Sequence, residues 1–240
     1  MPEELGYLAM NFKATAVRPL LGLTVLVVED SRFASEALRL LCIRSGARIR
    51  RADSLGAAHR HLKVYRPAVV IVDLGLPDGS GIDLIEEFAQ QEPGHRPVLL
   101  ACSGADGEGL EEAALAAGAD GFLAKPIASV SVFQQAILAH LPPDMQPSGP
   151  RVMSEDAVEP DTLALNEDLS HIDALLQAGT DTLPYVAPFL QGLARLSGDE
   201  ALKSASARLT RAFTQERDVP ASIEKVRDVI RARLRTAELV

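Results

Sequence analysis

Three stretches, LTVLVVE (23–29), AVVIVDL (68–74) and PVLLACS (97–103), are apolar almost without a break and carry a carboxylate or hydroxyl at their C-terminal ends. Unbroken apolar runs imply strands buried on both faces, which requires helices on both sides of a parallel sheet. Two further runs, ARIRRA (47–52) and GFLAK (121–125), complete five strand-helix units between residues 22 and 141. The intervening segments have helical spacing. Ser31 can cap a helix through Ile43 that ends near Gly46, with Phe33, Ala37, Leu38 and Leu41 on one stripe. Further helices are expected over 54–65, 82–91, 108–117 and 129–141, the last ended by Pro142-Pro143. The expected fold is therefore α/β: a doubly wound, five-stranded parallel (βα)5 domain, preceded by an extension, residues 1–21.

Residues 142–161 hold five prolines and few large apolar side chains, and read as an acidic, semi-extended linker. Beyond it no strand pattern survives. Helices are expected over 163–178, 183–196, 199–214 and 221–239, giving a small all-α domain at 162–240. Leu202, Ala205, Leu209 and Ala212-Phe213 form a packing seam suited to a bundle or a dimer interface. Arg227, Arg231 and Arg235 repeat along one face of the last helix, which base rates assign to a solvated surface.

The formal net charge of −9 argues against a general polyanion binder, so nucleic acid is not the default partner. Cys42 and Cys102, the two cysteines, sit among apolar residues and read as buried free thiols, which fits a reducing cytoplasm. The N-terminus lacks a basic region followed by an apolar run, and no apolar stretch is long enough to span a membrane. His59, His61, His95, His140 and His171 lack metal-ligand spacing.

In an open parallel sheet, ligands gather at the carboxyl ends of the strands. There the chain offers Glu29 and Asp30, then Asp73, Ser103 and Lys125. Three carboxylates pressed together repel one another and need a cation. Hard oxygen donors in a shallow, hydrated site suit Mg²⁺. From a phosphate's side, the same set supplies a metal and an ammonium for its oxygens, a hydroxyl donor, and Asp73 as nucleophile.

The motifs VLVVED, VDLGLPDGSG, LLACSG and GFLAKP, in this order, resemble the receiver domain of two-component response regulators over residues 22–141. The resemblance implies that Asp73 is the phosphoacceptor and Asp30 a direct Mg²⁺ ligand, with Glu29 ligating directly or through water and the Gly75 carbonyl completing the protein's share. It implies that Lys125 pairs with the phosphoryl oxygens, that Pro126 follows a cis bond, and that Ser103 and Phe122 form the switch pair. Phe122 stands where the family more often has Tyr. Phosphorylation would bias the surface formed by 108–117, 121–125 and 129–141. Small residues beside the site, Gly75 and Ala105, would leave room for a water that removes the phosphoryl group. The phosphoryl donor would be a histidine kinase or histidine phosphotransfer protein. Beyond promoting its own phosphorylation and dephosphorylation, no enzymatic activity is expected.

Haloacid dehalogenase-type phosphatases also use an aspartyl phosphate, but Gly75 stands where they place a second acid. A flavodoxin-like FMN domain needs a phosphate-binding loop where this chain has EDSRFAS. His171, in LSHIDALL, lacks the lysine and glycine that follow the histidine of phosphotransfer domains. The tail has no helix-turn-helix or winged-helix pattern, and its length is too small for a GGDEF-type enzyme. Two readings of the tail follow. Either it mediates homodimerisation or docks a protein partner under control of phosphorylation, or its arginine face makes the chain a DNA-binding transcriptional regulator.

Overall fold

A computed structural model of the chain describes residues 14–91, 96–104, 109–127, 129–147, 149 and 154–237. The α/β unit comprises β1 (Thr24–Val28), α1 (Arg32–Ser45), β2 (Arg48–Ala52), α2 (Leu55–Leu62), β3 (Val69–Asp73), a two-residue ladder of β4 (Gly75–Leu76) and β5 (Gly79–Ser80), α3 (Gly81–Ala89), β6 (Val98–Ser103), α4 (Leu110–Ala116), β7 (Gly121–Ala124) and α5 (Val130–Leu138). Five strands form a parallel sheet in the order β2-β1-β3-β6-β7. The order reverses between β1 and β3, so a crevice opens beyond their carboxyl ends.

Side chains alternate across the sheet as strand geometry dictates. Val25, Val27, Val69, Ile71 and Leu100 face α1 and α5, where they meet Leu38, Leu41, Phe133 and Ile137. Leu26, Val28, Val70, Val72 and Ala101 face α2, α3 and α4, where they meet Ala58, Leu84, Ile85 and Ala114. Both faces of β1, β3 and β6 are thus buried, which is why their sequences do not alternate. β2 lies at an edge and exposes Arg48, Arg50 and Arg51, charges that oppose pairing with another sheet. Leu20 is fully buried in the same core.

Side-chain caps set several helix starts: Ser31 accepts from the Ala34 amide at 3.0 Å, Ser54 from Ala57 and Ser129 from Val132. Two helices stop three residues short of the periodicity. The segment expected over 54–65 ends at Leu62, where the Val64 amide bonds back to the His61 carbonyl and tightens the last turn. The segment expected over 129–141 ends at Leu138, although Leu141 remains buried.

The helical unit comprises α6 (Thr162–Ala178), α7 (Leu183–Ser197), α8 (Glu200–Thr214) and α9 (Val219–Ala237). Its core gathers Leu165, Leu169 and Ile172 of α6, Val186, Leu190 and Leu193 of α7, Leu202 and Leu209 of α8, and Val226 and Ile230 of α9. The seam Leu202, Ala205, Leu209 and Ala212 is buried inside this unit, while Phe213 is exposed. Intramolecular packing therefore uses most of that seam.

The two units are docked on each other. Phe33, at the start of α1, lies in the core of the helical unit. The segment read as a linker is also anchored: the Ser154 and Asp156 carbonyls accept from the Ser131 and Val130 amides at the start of α5, and Val158 packs on the α/β core.

Candidate functional site

The sheet delivers its polar residues to one place. Glu29 and Asp30 follow β1 directly, Asp73 ends β3, Ser103 ends β6 and Lys125 follows β7. Asp73 stands opposite Cys102, and Ser103 opposite Ala124, in the parallel register. Oxygens of Glu29, Asp30 and Asp73 lie within 4.8 Å of one another. The Lys125 ammonium donates to Asp73 Oδ1 at 2.7 Å and to Glu29. The Gly75 amide donates to the other Asp73 oxygen at 3.2 Å. Lys125 and Pro126 are joined by a cis peptide bond.

The GSG that ends the Asp73 loop has a steric cause. A Cβ on Gly81 would stand 2.1 Å from the Asp73 carbonyl oxygen and 3.1 Å from the Leu74 Cα. Only glycine lets α3 begin so close behind the strand that presents Asp73.

Three carboxylates surround one ammonium, and the imbalance appears in the protonation of Glu29 and Asp30. Burial, with the Asp73 charge adding to it, pushes Asp30 up to about 6 against the opposing hydrogen bond from Tyr185. Burial likewise raises Glu29 above the usual carboxylate range, although Lys125 acts against it. Lys125 is itself buried, which disfavours its charge, yet Asp73 and Glu29 hold its pKa well above the ordinary lysine value. An ammonium fixed among clustered hard oxygens that still carry excess negative charge fits a small divalent cation.

Residues 25–137 match the family described as the response regulator receiver domain. This segment is a receiver domain. Among curated proteins, the KDP operon transcriptional regulatory protein KdpE of Escherichia coli is 36% identical over 102 residues, 42% of this chain and 44% of that one. The virulence transcriptional regulatory protein PhoP of Salmonella typhimurium is 33% identical over 116 residues, 48% of this chain and 51% of that one. The chain spans about half the length of these relatives. A solved CheY-like receiver domain from Methylobacillus flagellatus is 28% identical, covering 48% of this chain and 98% of that one, with a TM-score of 0.42. The family match ends at residue 137, so the helical unit lies outside it.

The receiver brings Glu29, Asp30, Asp73, Ser103, Lys125 and Gly75 to a single cleft of about 330 Å³. Phe122 packs half-buried on the layer beneath α2, α3 and α4 instead. Ala105 and His95 lie outside the described residues. Both thiols are buried and free, as their apolar neighbours suggest. Among the described residues, no helix is long and apolar enough to cross a membrane.

Sequence reading missed the other wall of the cleft, which comes from α7: Pro184, Tyr185, Pro188, Phe189, Gly192 and Leu193. The Tyr185 hydroxyl donates to Asp30 Oδ2. The Arg195 guanidinium donates to the Gly104 carbonyl at 2.9 Å. Beside α7, Asp168 of α6 caps α1, accepting from Ser31 Oγ at 2.8 Å and from the Arg32 and Phe33 amides at 3.0 Å each. Two signals were present in the sequence. Asp168 interrupts the apolar stripe Leu165, Leu169, Ile172, and a carboxylate on a buried stripe requires donors from elsewhere. Pro188 and Gly192 are poor residues for the interior of a helix, and they sit on the face of α7 turned to the receiver.

Proposed function

We propose that the chain is a two-component response regulator that takes a phosphoryl group on Asp73 from a histidine kinase or histidine phosphotransfer protein. The observation that carries this reading is the convergence of Glu29, Asp30 and Asp73 at the carboxyl end of the sheet, with the Lys125 ammonium paired to Glu29 and Asp73. An Asp73 carboxylate oxygen attacks phosphorus as the bond from phosphorus to the donor's imidazole nitrogen breaks, and the imidazole leaves with the electron pair. Lys125, already 2.7 Å from Asp73, neutralises charge on the transferring group. Asp30, Asp73 and Glu29, with the Gly75 carbonyl, are the groups that hold Mg²⁺, which supplies electrostatic stabilisation of the phosphoryl oxygens when bound. Ser103 lies in the same cleft and donates to the phosphoryl group once it is in place. Phe122 then repositions on β7 as Ser103 moves.

The output we favour is a protein contact made through the helical unit, as a homodimer or with another protein, rather than binding of nucleic acid. Arg227 is paired with Asp173 at 2.9 Å and with Glu224, and Arg231 lies 3.9 Å from Asp173, so this face already has intramolecular counter-charges. The test is labelling with phosphoramidate and Mg²⁺. Wild type should gain an acid-stable, hydroxylamine-labile phosphoryl group, and Asp73→Asn should not. Equal labelling of the variant refutes Asp73 as acceptor.

A further inference from the structure

We propose that the helical unit is a cap on the phosphoacceptor face, whose docked position opposes metal loading and bars a protein phosphodonor from Asp73. The proposal rests on reading Asp73 as phosphoacceptor and adds how access to that site is regulated. The contacts between the units fall into two sets. Asp168, on the Ser31 hydroxyl and the Arg32 and Phe33 amides, and Phe33 in the bundle core reach the acidic cluster only through Ser31, whose amide donates to Glu29 and Asp30. α7 instead lines the acidic cleft itself, with Tyr185, Pro188 and Gly192. Tyr185 donates to Oδ2 of Asp30, one of the carboxylates that would hold the ion, so a divalent ion bound there competes with the tyrosine proton for Asp30. Arg195 grips the carbonyl of Gly104, the residue after Ser103, so movement of Ser103 toward a phosphoryl group pulls on that contact.

The fit is close enough to make this competition steric as well as electrostatic. A Cβ built on Gly104 would stand 3.1 Å from the Gly192 Cα, and one built on Gly192 would stand 4.0 Å from the Gly104 Cα. The backbones of the two units meet with nothing between them. The remaining cleft, about 330 Å³, admits a phosphoryl group and a hydrated ion, whereas a donor helix about 10 Å across does not fit beneath α7. A protein phosphodonor therefore needs α7 to leave, and binding reciprocity requires that whatever loosens the cap is itself bound more tightly once the cap is loosened.

The experiment uses the full chain and three forms: wild type, Tyr185→Phe and Gly192→Leu. The first substitution removes only the hydroxyl. The second wedges an uncharged side chain between α7 and Gly104 while raising helix propensity, and circular dichroism checks that the bundle persists. Mg²⁺ dissociation constants come from calorimetry, and hydrogen exchange over 183–197 and 31–34 is followed with and without Mg²⁺ and beryllofluoride. The expected result is that Mg²⁺ with beryllofluoride accelerates exchange in α7 of wild type. Gly192→Leu should show that acceleration without ligand and bind Mg²⁺ roughly fivefold or more tightly, with Tyr185→Phe between the two. Unchanged exchange on loading, together with equal Mg²⁺ affinities, overturns the cap whether or not Asp73 is labelled. If Asp73 takes no phosphoryl group in any form while Mg²⁺ still loosens α7, the cap is supported and the phosphoacceptor reading falls.

Discussion

Two buried acidic centres lie on either side of the first residues of α1, and they solve the burial of charge in opposite ways. At Asp168 one carboxylate, 3% exposed, accepts from a hydroxyl and two backbone amides at 2.8–3.0 Å. Its acceptors are satisfied, and the result is a fixed joint between units. At Glu29, Asp30 and Asp73, three carboxylates share one ammonium, one tyrosine hydroxyl and the Ser31 and Gly75 amides. That centre is left short of positive charge. The contrast teaches that a satisfied buried carboxylate holds structure together, while an under-compensated cluster is available to a ligand.

The largest blow to this contrast is Gly81→Ala. The added methyl overlaps the Asp73 carbonyl at 2.1 Å, and relief requires moving either β3 or the start of α3, so a loss of more than about 3 kcal/mol is expected in urea denaturation. A loss below about 1 kcal/mol would show that the loop is slack and the acidic cluster not held by it. Next comes Lys125→Met, which removes the ammonium from buried carboxylates. In chelator the variant should be less stable by about 3 kcal/mol, and Mg²⁺ should raise its melting temperature more than it raises that of wild type. Equal metal effects would mean that Lys125 does not set the charge balance.

Asp168→Ala sharpens the other side. It leaves the Arg32 and Phe33 amides and the Ser31 hydroxyl without their acceptor, for a loss of about 2 kcal/mol in chelator and faster exchange of those two amides. Unaltered exchange would detach Asp168 from the joint. The smallest effect is expected from Arg227→Ala, outside both centres on an ion pair near the surface: a urea midpoint indistinguishable from wild type, and no change in duplex DNA retention at physiological salt. Salt-dependent DNA binding lost in that variant would favour the nucleic-acid reading of the tail.

The legibility of these centres from sequence differs for a physical reason. Glu29, Asp30, Asp73, Ser103 and Lys125 were readable because each sits at the end of a strand, and parallel strands bring their ends together whatever the details of packing. Asp168 was visible only as an anomaly on an apolar stripe, since its donors lie more than 130 positions away in the chain. Phe33 fitted the helical spacing of α1, but spacing does not say which core a face will meet. It meets the bundle rather than the sheet. The proline-rich segment after 141 was read from composition as a linker, and composition does not reveal the backbone bonds that Ser154 and Asp156 make to α5.

The order of apolar runs and helical stripes by itself determined the layered sheet, the four later helices and the acidic strand ends, because these follow from short-range periodicity and steric rules. Only the tertiary structure decided that α7 lies across the acidic cleft, with Tyr185 on Asp30 and Gly192 against Gly104. That arrangement depends on shape and charge matching between surfaces formed by distant segments. No local pattern encodes it until both surfaces have folded.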